Sequence, residues 1–168
     1  MGGVLLSPGS IAPQFVLAAS GAASDHLGLD DLMSSGPALL AFFKTSCPTC
    51  RISFPVWGEL AGRYGDHVTA AAVSQDPLTV ARPWLDERGF DAPVLDDSDG
   101  YHVSRAYRLQ TVPTLVLVDG TGEVLAHSQG WDRDRANAWD LELAALTGSP
   151  SSGPVSTAGD GLPPHRPG

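Results

Sequence analysis

The chain has 168 residues, 42% of them hydrophobic, and a formal net charge of -9 at neutral pH. That apolar content suffices for one domain with a proper core, while ten basic residues against nineteen acidic ones exclude a surface built for nucleic acid or anionic membranes. Two cysteines, Cys47 and Cys50, are too few for a disulfide scaffold and too close in sequence to staple distant segments.

The stretch from Met1 to Pro8 has no basic n-region and too short an apolar run for a signal peptide, and no later run is long enough to span a bilayer. The expectation is a cytoplasmic monomer without membrane insertion, or an extracytoplasmic one if a leader is missing. Gln14 to Leu17 and a weaker extended piece near His26 and Leu27 predict an N-terminal β-hairpin. Leu29, Leu32 and Met33 predict one or two helical turns before Ser34-Ser35-Gly36-Pro37. Residues 38 to 43 are apolar throughout, as in a strand covered on both faces.

That strand runs into Cys47-Pro48-Thr49-Cys50 and then into helical spacing, with Ile52, Val56 and Leu60 four apart up to Gly65. With Cys47 at the cap and Pro48 at the first helical position, where proline's missing N–H costs nothing, Cys47 faces the positive end of the helix. A thiolate is favoured there, so its pKa should fall below the free value of about 8.5 and make it a nucleophile. Cys50, one turn further in, is placed to attack a mixed disulfide formed on Cys47. Pro55 interrupts the helix, and Lys44 beside the pair is read as solvated rather than as a promoter of the thiolate.

Val68 to Val73 reads as a second buried strand, and Asp76-Pro77 starts a helix with Val80, Ala81, Trp84 and Leu85. Strand and helix in alternation predict a parallel sheet with right-handed crossovers. After a short extended piece at Pro93 to Leu95, Asp96, Asp97 and Asp99 are read as a solvated turn, since the calcium-loop pattern fails after Gly100. A brief helix around Val103, Ala106 and Tyr107 precedes Gln110-Thr111-Val112-Pro113-Thr114, followed by two strands around Asp119-Gly120-Thr121-Gly122. Asp132 caps a final helix whose apolar face is Ala136, Trp139, Leu143 and Leu146. The reading is one domain over residues 1–148, followed by a disordered Gly/Pro/Ser-rich tail over 149–168 with almost nothing to bury. Five histidines without ligand spacing and no second cysteine pair argue against zinc, and no cofactor is expected.

The strand, Cys47-Pro48-Thr49-Cys50, the helix with proline five residues after the second cysteine, and Thr111-Val112-Pro113-Thr114 before a hairpin resemble the thioredoxin fold. Ile11-Ala12-Pro13-Gln14-Phe15-Val16-Leu17 and the strand-helix insertion of residues 68–90 resemble the TlpA/ResA-type thiol-disulfide oxidoreductases of the redoxin group. The resemblance implies an α/β protein with a mixed central sheet flanked by helices, an N-terminal β-hairpin extension and a central strand-helix insertion. It implies catalysis by Cys47 and Cys50, a cis Pro113, and substrate binding by Val112, Pro113, Pro48 and Thr49. Partners would be protein or small-molecule disulfides or dithiols and an electron donor or acceptor.

Four positions depart from that pattern. Thr45 and Ser46 stand where an exposed aromatic often precedes the first cysteine, Ala41 where thioredoxins bury an aspartate, and Ser53 where ResA-like proteins often have a glutamate. Loss of a general base costs about 10² to 10⁴-fold in rate, so the resemblance implies slow turnover or a specialised partner. Two other functions fit the fold. A peroxidase would carry Pro and Thr seven and three residues before Cys47, where Leu40 and Lys44 stand. A redox-inactive binding module would carry thiols of ordinary pKa.

Overall fold

The structure is a computed structural model that describes residues 4–168. Residues 1–3, part of the stretch read as leader-free and of the expected 1–148 domain, lie outside the described residues.

Strand β1 (Val16–Ser20) and β2 (His26–Gly28) form the expected antiparallel hairpin, and helix α1 (Leu29–Met33) follows directly. The hairpin is joined to the main sheet, because Ala19 and Ser20 pair with Leu95 and Val94 of β5 (Val94–Asp96). Strand β3 (Ala38–Phe43) leads into α2 (Pro48–Tyr64), β4 (Thr69–Ser74) and α3 (Leu78–Asp86). After β5 come α4 (His102–Ala106), the hairpin β6 (Thr114–Val118) and β7 (Val124–Gln129), then β8 (Trp131–Asp132), α5 (Arg133–Thr147) and β9 (His165–Arg166). The seven-stranded sheet has the order β2-β1-β5-β4-β3-β6-β7. Its middle pairs β3/β4 and β4/β5 are parallel, and the outer pairs are antiparallel, so the sheet is mixed as expected.

The central position of β3 explains its unbroken apolar sequence. Leu39, Ala41 and Phe43 point to one face, where they meet Phe54, Trp57 and Leu60 of α2, Trp84 and Leu85 of α3, and Trp139 and Leu143 of α5. Ala38, Leu40 and Phe42 point to the other, against Leu29 and Leu32 of α1 and Val103 and Tyr107 around α4. Side-chain alternation along a strand therefore feeds two separate cores. On the first face Phe43 lies 4.7 Å from Phe54 and 5.1 Å from Trp84, ring centre to ring centre. All four tryptophans are buried, in agreement with their reading as packing residues.

Three expectations are corrected. Asp97 is buried instead of solvated: its carboxylate accepts from the backbone N–H groups of Val103 (2.9 Å) and Ser104 (2.8 Å) and from the Ser104 hydroxyl (2.7 Å), which satisfies the open donors at the start of α4. On α5, Ala136, Trp139 and Leu143 are buried but Leu146 is 43% exposed, because the packed stripe ends one turn before the helix does.

The third correction concerns the tail. Residues 149–168 follow a defined path across α2, α5 and β8 instead of being disordered. Val155 and Leu162 pack with Val56, Trp131 and Ala136, and Ser156 is buried. Asn137 accepts from the N–H groups of Val155 (2.9 Å) and Ser156 (3.1 Å) and donates to the Ser156 carbonyl (2.9 Å). Further back, the Arg63 guanidinium donates to the Gly153 carbonyl at 2.6 Å, and the Ser151 hydroxyl donates to Asp140. The physical reason is that α5 carries polar side chains spaced to satisfy the tail's backbone, so two apolar residues are enough to hold it.

No helix of the described residues is long and apolar enough to cross a membrane.

Candidate functional site

The site is built where β3 ends and α2 begins. Cys47 is extended at the N-cap (φ -81°, ψ 115°) with Pro48 in the first helical turn, and its sulfur accepts the Cys50 backbone N–H at 3.1 Å. The loop before it is pinned by the Thr45 N–H, which donates to Asp76 Oδ2 at 2.7 Å. From the opposite side comes the Val112–Pro113 peptide bond, which is cis, before β6. In its thiol form Cys47 donates to the Val112 carbonyl at 3.5 Å. The structure thus brings Cys47, Cys50, Pro48, Thr49, Val112 and Pro113 together. Beside Val112 opens a groove of about 300 Å³ lined by Gln75, Tyr101, Ser104, Arg105 and Thr111.

Both cysteines are free thiols, but their surroundings differ. Cys47 is partly exposed and Cys50 fully buried. The Cys47 thiol is pushed down to about 6, chiefly by the hydrogen bond from the Cys50 thiol, with the backbone N–H groups of Cys50 and Thr49 and the charge of Arg166 adding to it against the opposing effect of partial burial. Burial pushes the Cys50 thiol strongly upward, and the neighbouring Cys47 sulfur adds to that. One sulfur is therefore held as a thiolate at neutral pH and the other as its hydrogen-bond donor. This is the division of labour that an attacking and a resolving thiol require.

Among the described residues, none of the groups that shift the Cys50 thiol is a carboxylate. Ala41 is buried in the sheet, and the Ser53 hydroxyl is turned back to the Thr49 carbonyl at 3.1 Å, as a helix-interior serine commonly is. The Lys44 ammonium lies 5.8 Å from the centre of the Tyr101 ring, and the backbone carbonyl of Lys44 accepts the Cys47 N–H at 3.1 Å. Among the described residues no three His, Cys, Asp or Glu side chains converge as metal ligands would.

A model of the AhpC/TSA family matches residues 8–127, which includes the cysteine pair and Pro113. The chain belongs to the AhpC/TSA family. Among curated proteins, the thiol-disulfide oxidoreductase ResA of Halalkalibacterium halodurans is 31% identical over 110 residues, 63% of this chain and 61% of that protein. The thiol-disulfide oxidoreductase YkuV of Bacillus subtilis is 28% identical over 106 residues, 60% of this chain and 70% of that one. The chain spans just under two thirds of the length of the ResA relative. Among solved structures, the thiol:disulfide interchange protein DsbE of Chlorobium tepidum superposes with a TM-score of 0.74 at 26% identity, over 84% of this chain and 99% of that one. Peroxidoxin BcpB of Mycobacterium tuberculosis shares the fold with a TM-score of 0.67 at 20% identity. The fold is thioredoxin-like, and the resemblance to ResA-type proteins read from the sequence stands.

Within this AhpC/TSA chain, the sequence reading missed everything on the far wall of the cleft. Gly130 donates its N–H to the Pro113 carbonyl at 2.8 Å, which docks the turn between β7 and β8 onto the proline loop. Arg166 and Pro167 reach the site from the tail: the Thr49 hydroxyl donates to the Pro167 carbonyl at 2.7 Å. These residues lie beyond the matched 8–127 segment, and the one local signal for them was the stiff run Leu162-Pro163-Pro164 in an otherwise flexible composition.

Proposed function

We propose that this chain is a thiol-disulfide oxidoreductase of polypeptide disulfides, with Cys47 as the attacking thiolate and Cys50 as the resolving thiol. The observation that carries the reading is the pairing of a Cys47 thiol pushed down to about 6 with a buried Cys50 thiol that hydrogen-bonds to it. In the reducing direction, the Cys47 thiolate attacks one sulfur of a partner disulfide. A mixed disulfide forms, and the leaving partner sulfur takes up a proton. Cys50 then loses its proton and attacks Cys47 Sγ, which forms the Cys47–Cys50 disulfide and releases the second partner sulfur. Two electrons have passed from the cysteine pair to the partner, and the reverse sequence oxidises a partner dithiol.

Val112, Pro113, Pro48 and Thr49 form the walls against which the partner segment lies, with the Val112 carbonyl facing the reacting sulfur. The ResA, YkuV and DsbE names of the similar proteins support the same chemistry for this chain. With Ala41 and Ser53 at the two positions where similar proteins carry a carboxylate, deprotonation of the resolving thiol is the slow step, and water or the departing partner thiolate is the acceptor.

The test is reduction of a protein disulfide by the wild type, Cys47→Ser and Cys50→Ser, with peroxide consumption measured in parallel. Loss of reduction in both variants, and a trapped mixed disulfide in Cys50→Ser alone, is expected. Peroxide turnover that survives Cys50→Ser with an external thiol would replace this reading with a peroxidase.

A further inference from the structure

The end of the tail crosses the face on which a partner segment would lie. The Pro163 carbonyl accepts from the Trp131 indole N–H at 2.7 Å, and the Pro164 carbonyl accepts from the Arg133 N–H at 2.9 Å. His165 and Arg166 then pair antiparallel with Asp132 and Trp131, so β9 extends the β8 edge as an added strand. The hydroxyl of Thr49, which lies between the two cysteines in sequence, donates to the Pro167 carbonyl at 2.7 Å. The course over Gly130 is so close that a Cβ on that residue would lie 3.0 Å from the Arg166 carbonyl oxygen and 3.3 Å from Pro167 Cα. Gly168 then comes against the Val112 carbonyl and the Thr111 side chain, where there is no room for a Cβ.

These groups belong to all three walls of the cleft beside Cys47: the β8 edge, the start of α2 and the Val112–Pro113 loop. An extended peptide that adds to a strand edge is held mainly by main-chain hydrogen bonds, and the segment uses bonds of that kind. It contains no sulfur and cannot be turned over. Its grip is also limited, since the ladder is two residues long and both His165 and Arg166 are exposed. Further back the segment is tied by Asp160, whose carboxylate meets the Arg133 guanidinium at 3.2 Å and accepts the Leu162 N–H at 2.8 Å.

We propose that residues 163–167 are a built-in occupant of the polypeptide cleft beside Cys47, an autoinhibitory strap that an extended partner segment must displace while a small disulfide reaches the sulfur with the strap in place. The nature of the partner rests on the oxidoreductase reading above; the occupancy rests on the contacts alone. Cys47 remains partly exposed with the strap in place, which leaves its sulfur within reach of a small reagent. Displacement also carries Arg166 away from Cys47, so the strap couples partner binding to the charge around the nucleophile.

The experiment uses the full chain with Cys50→Ser, in which Cys47 is the sole thiol. Cys47 is labelled at pH 8.5 by methyl 2-pyridyl disulfide or by an eight-residue peptide carrying the same activated disulfide, and the peptide rate of each chain is divided by its small-reagent rate, so that any change in thiolate fraction cancels. Labelling is compared in the parent, in His165→Gly/Arg166→Gly, and in Asp160→Ala, which loosens the strap from outside the cleft. Hydrogen exchange of the C-terminal segment is followed in each adduct.

With the strap engaged about 90% of the time, the peptide should label the double variant about tenfold faster than the parent, and Asp160→Ala by a smaller factor in the same direction. The small reagent should label all three within about twofold by the same reasoning, because it does not need the cleft. Protection of the C-terminal segment should persist in the methyl adduct and vanish in the peptide adduct. Equal peptide rates in the three chains, with the segment still protected in the peptide adduct, overturn the strap. Labelling needs only an accessible thiol, so a chain that fails to reduce protein disulfides still reports on the strap.

Discussion

The Cys50 backbone N–H donates to Cys47 Sγ at 3.1 Å, and the same sulfur takes the hydrogen bond of the Cys50 thiol. One residue thus supplies two donors to its neighbour while its own thiol is sealed from water. The chemical asymmetry of the pair follows from this geometry.

The alkylation rate of Cys47 should titrate with a midpoint near the value of about 6 to which the thiol is pushed. Cys50→Ala removes the largest cause of that shift and should move the midpoint up; Arg166→Ala, which removes the smallest of the named causes, should move it less in the same direction. Iodoacetamide labelling across pH checks both. An unshifted midpoint in Cys50→Ala would show that the thiol hydrogen bond is not what holds the thiolate.

Stability follows by linkage. Because folding lowers the Cys47 pKa, the reduced protein gains stability as pH rises from about 6 toward the ordinary thiol value of 9.0, keeps it above that, and loses it as pH falls through about 6. Cys50 acts in the opposite sense: its raised pKa contributes fully below 9.0 and is lost only as pH climbs beyond it. Between pH 6 and 9 the reduced form should therefore gain on Cys47→Ser as pH increases, as read by urea midpoints of the two proteins under reductant.

The midpoint potential of the Cys47/Cys50 couple should change slope with pH. Below about pH 6 reduction takes up two protons with two electrons, and above it one, since Cys50 stays protonated while Cys47 does not. The slope should fall from about 60 to about 30 mV per pH unit. A constant slope through pH 7 in a glutathione titration would contradict the assignment.

Asp140 ties α2, α5 and the tail together. It is buried, and its carboxylate accepts from the Tyr64 hydroxyl at 2.7 Å, the Arg63 guanidinium at 2.9 Å and the Ser151 hydroxyl. Burial alone would push its carboxyl up, but the hydrogen bonds from Ser151, Tyr64 and Arg63 outweigh that and hold it below the usual range. Asp140→Ala removes the carboxylate these groups share, leaving Arg63 with Glu59 and the Gly153 carbonyl and Tyr64 with the backbone carbonyl of residue 140, and should cost about 1 to 3 kcal/mol by chemical denaturation. In the wild type the contribution is present above the ordinary carboxylate pKa and is lost as pH falls through the lowered one.

Asp76→Ala should loosen the loop before Cys47 by removing the acceptor of the Thr45 N–H. A hydrogen bond to a charged group contributes about 1.5 kcal/mol or somewhat more. The variant should lose about that much stability and also react more slowly with protein disulfides than its stability loss explains. Unchanged kinetics would confine Asp76 to a purely structural role.

The pattern of apolar residues by itself determined most of the architecture. Residues 38–43 announced a strand with two covered faces because alternate side chains must each find a core, and the Cys-Pro-Thr-Cys segment announced a helix start because proline tolerates that position and little else in a helix. The same two facts placed the reactive sulfur at the positive end of α2. What the sequence left open was decided by hydrogen bonds that periodicity does not display, from six or seven residues away at Asp97 to 118 between Thr49 and Pro167. Asp97 looked solvated until α4 supplied the N–H groups that bury it. The tail looked unable to fold because its composition offers so little to bury, yet Asn137, Arg133 and Trp131 satisfy its backbone and steer Arg166 and Pro167 to the cysteine pair. Hydrophobic periodicity is a local property that a sequence displays openly, whereas hydrogen bonds between separate elements, 118 positions apart for Thr49 and Pro167, exist only once the fold has brought them together.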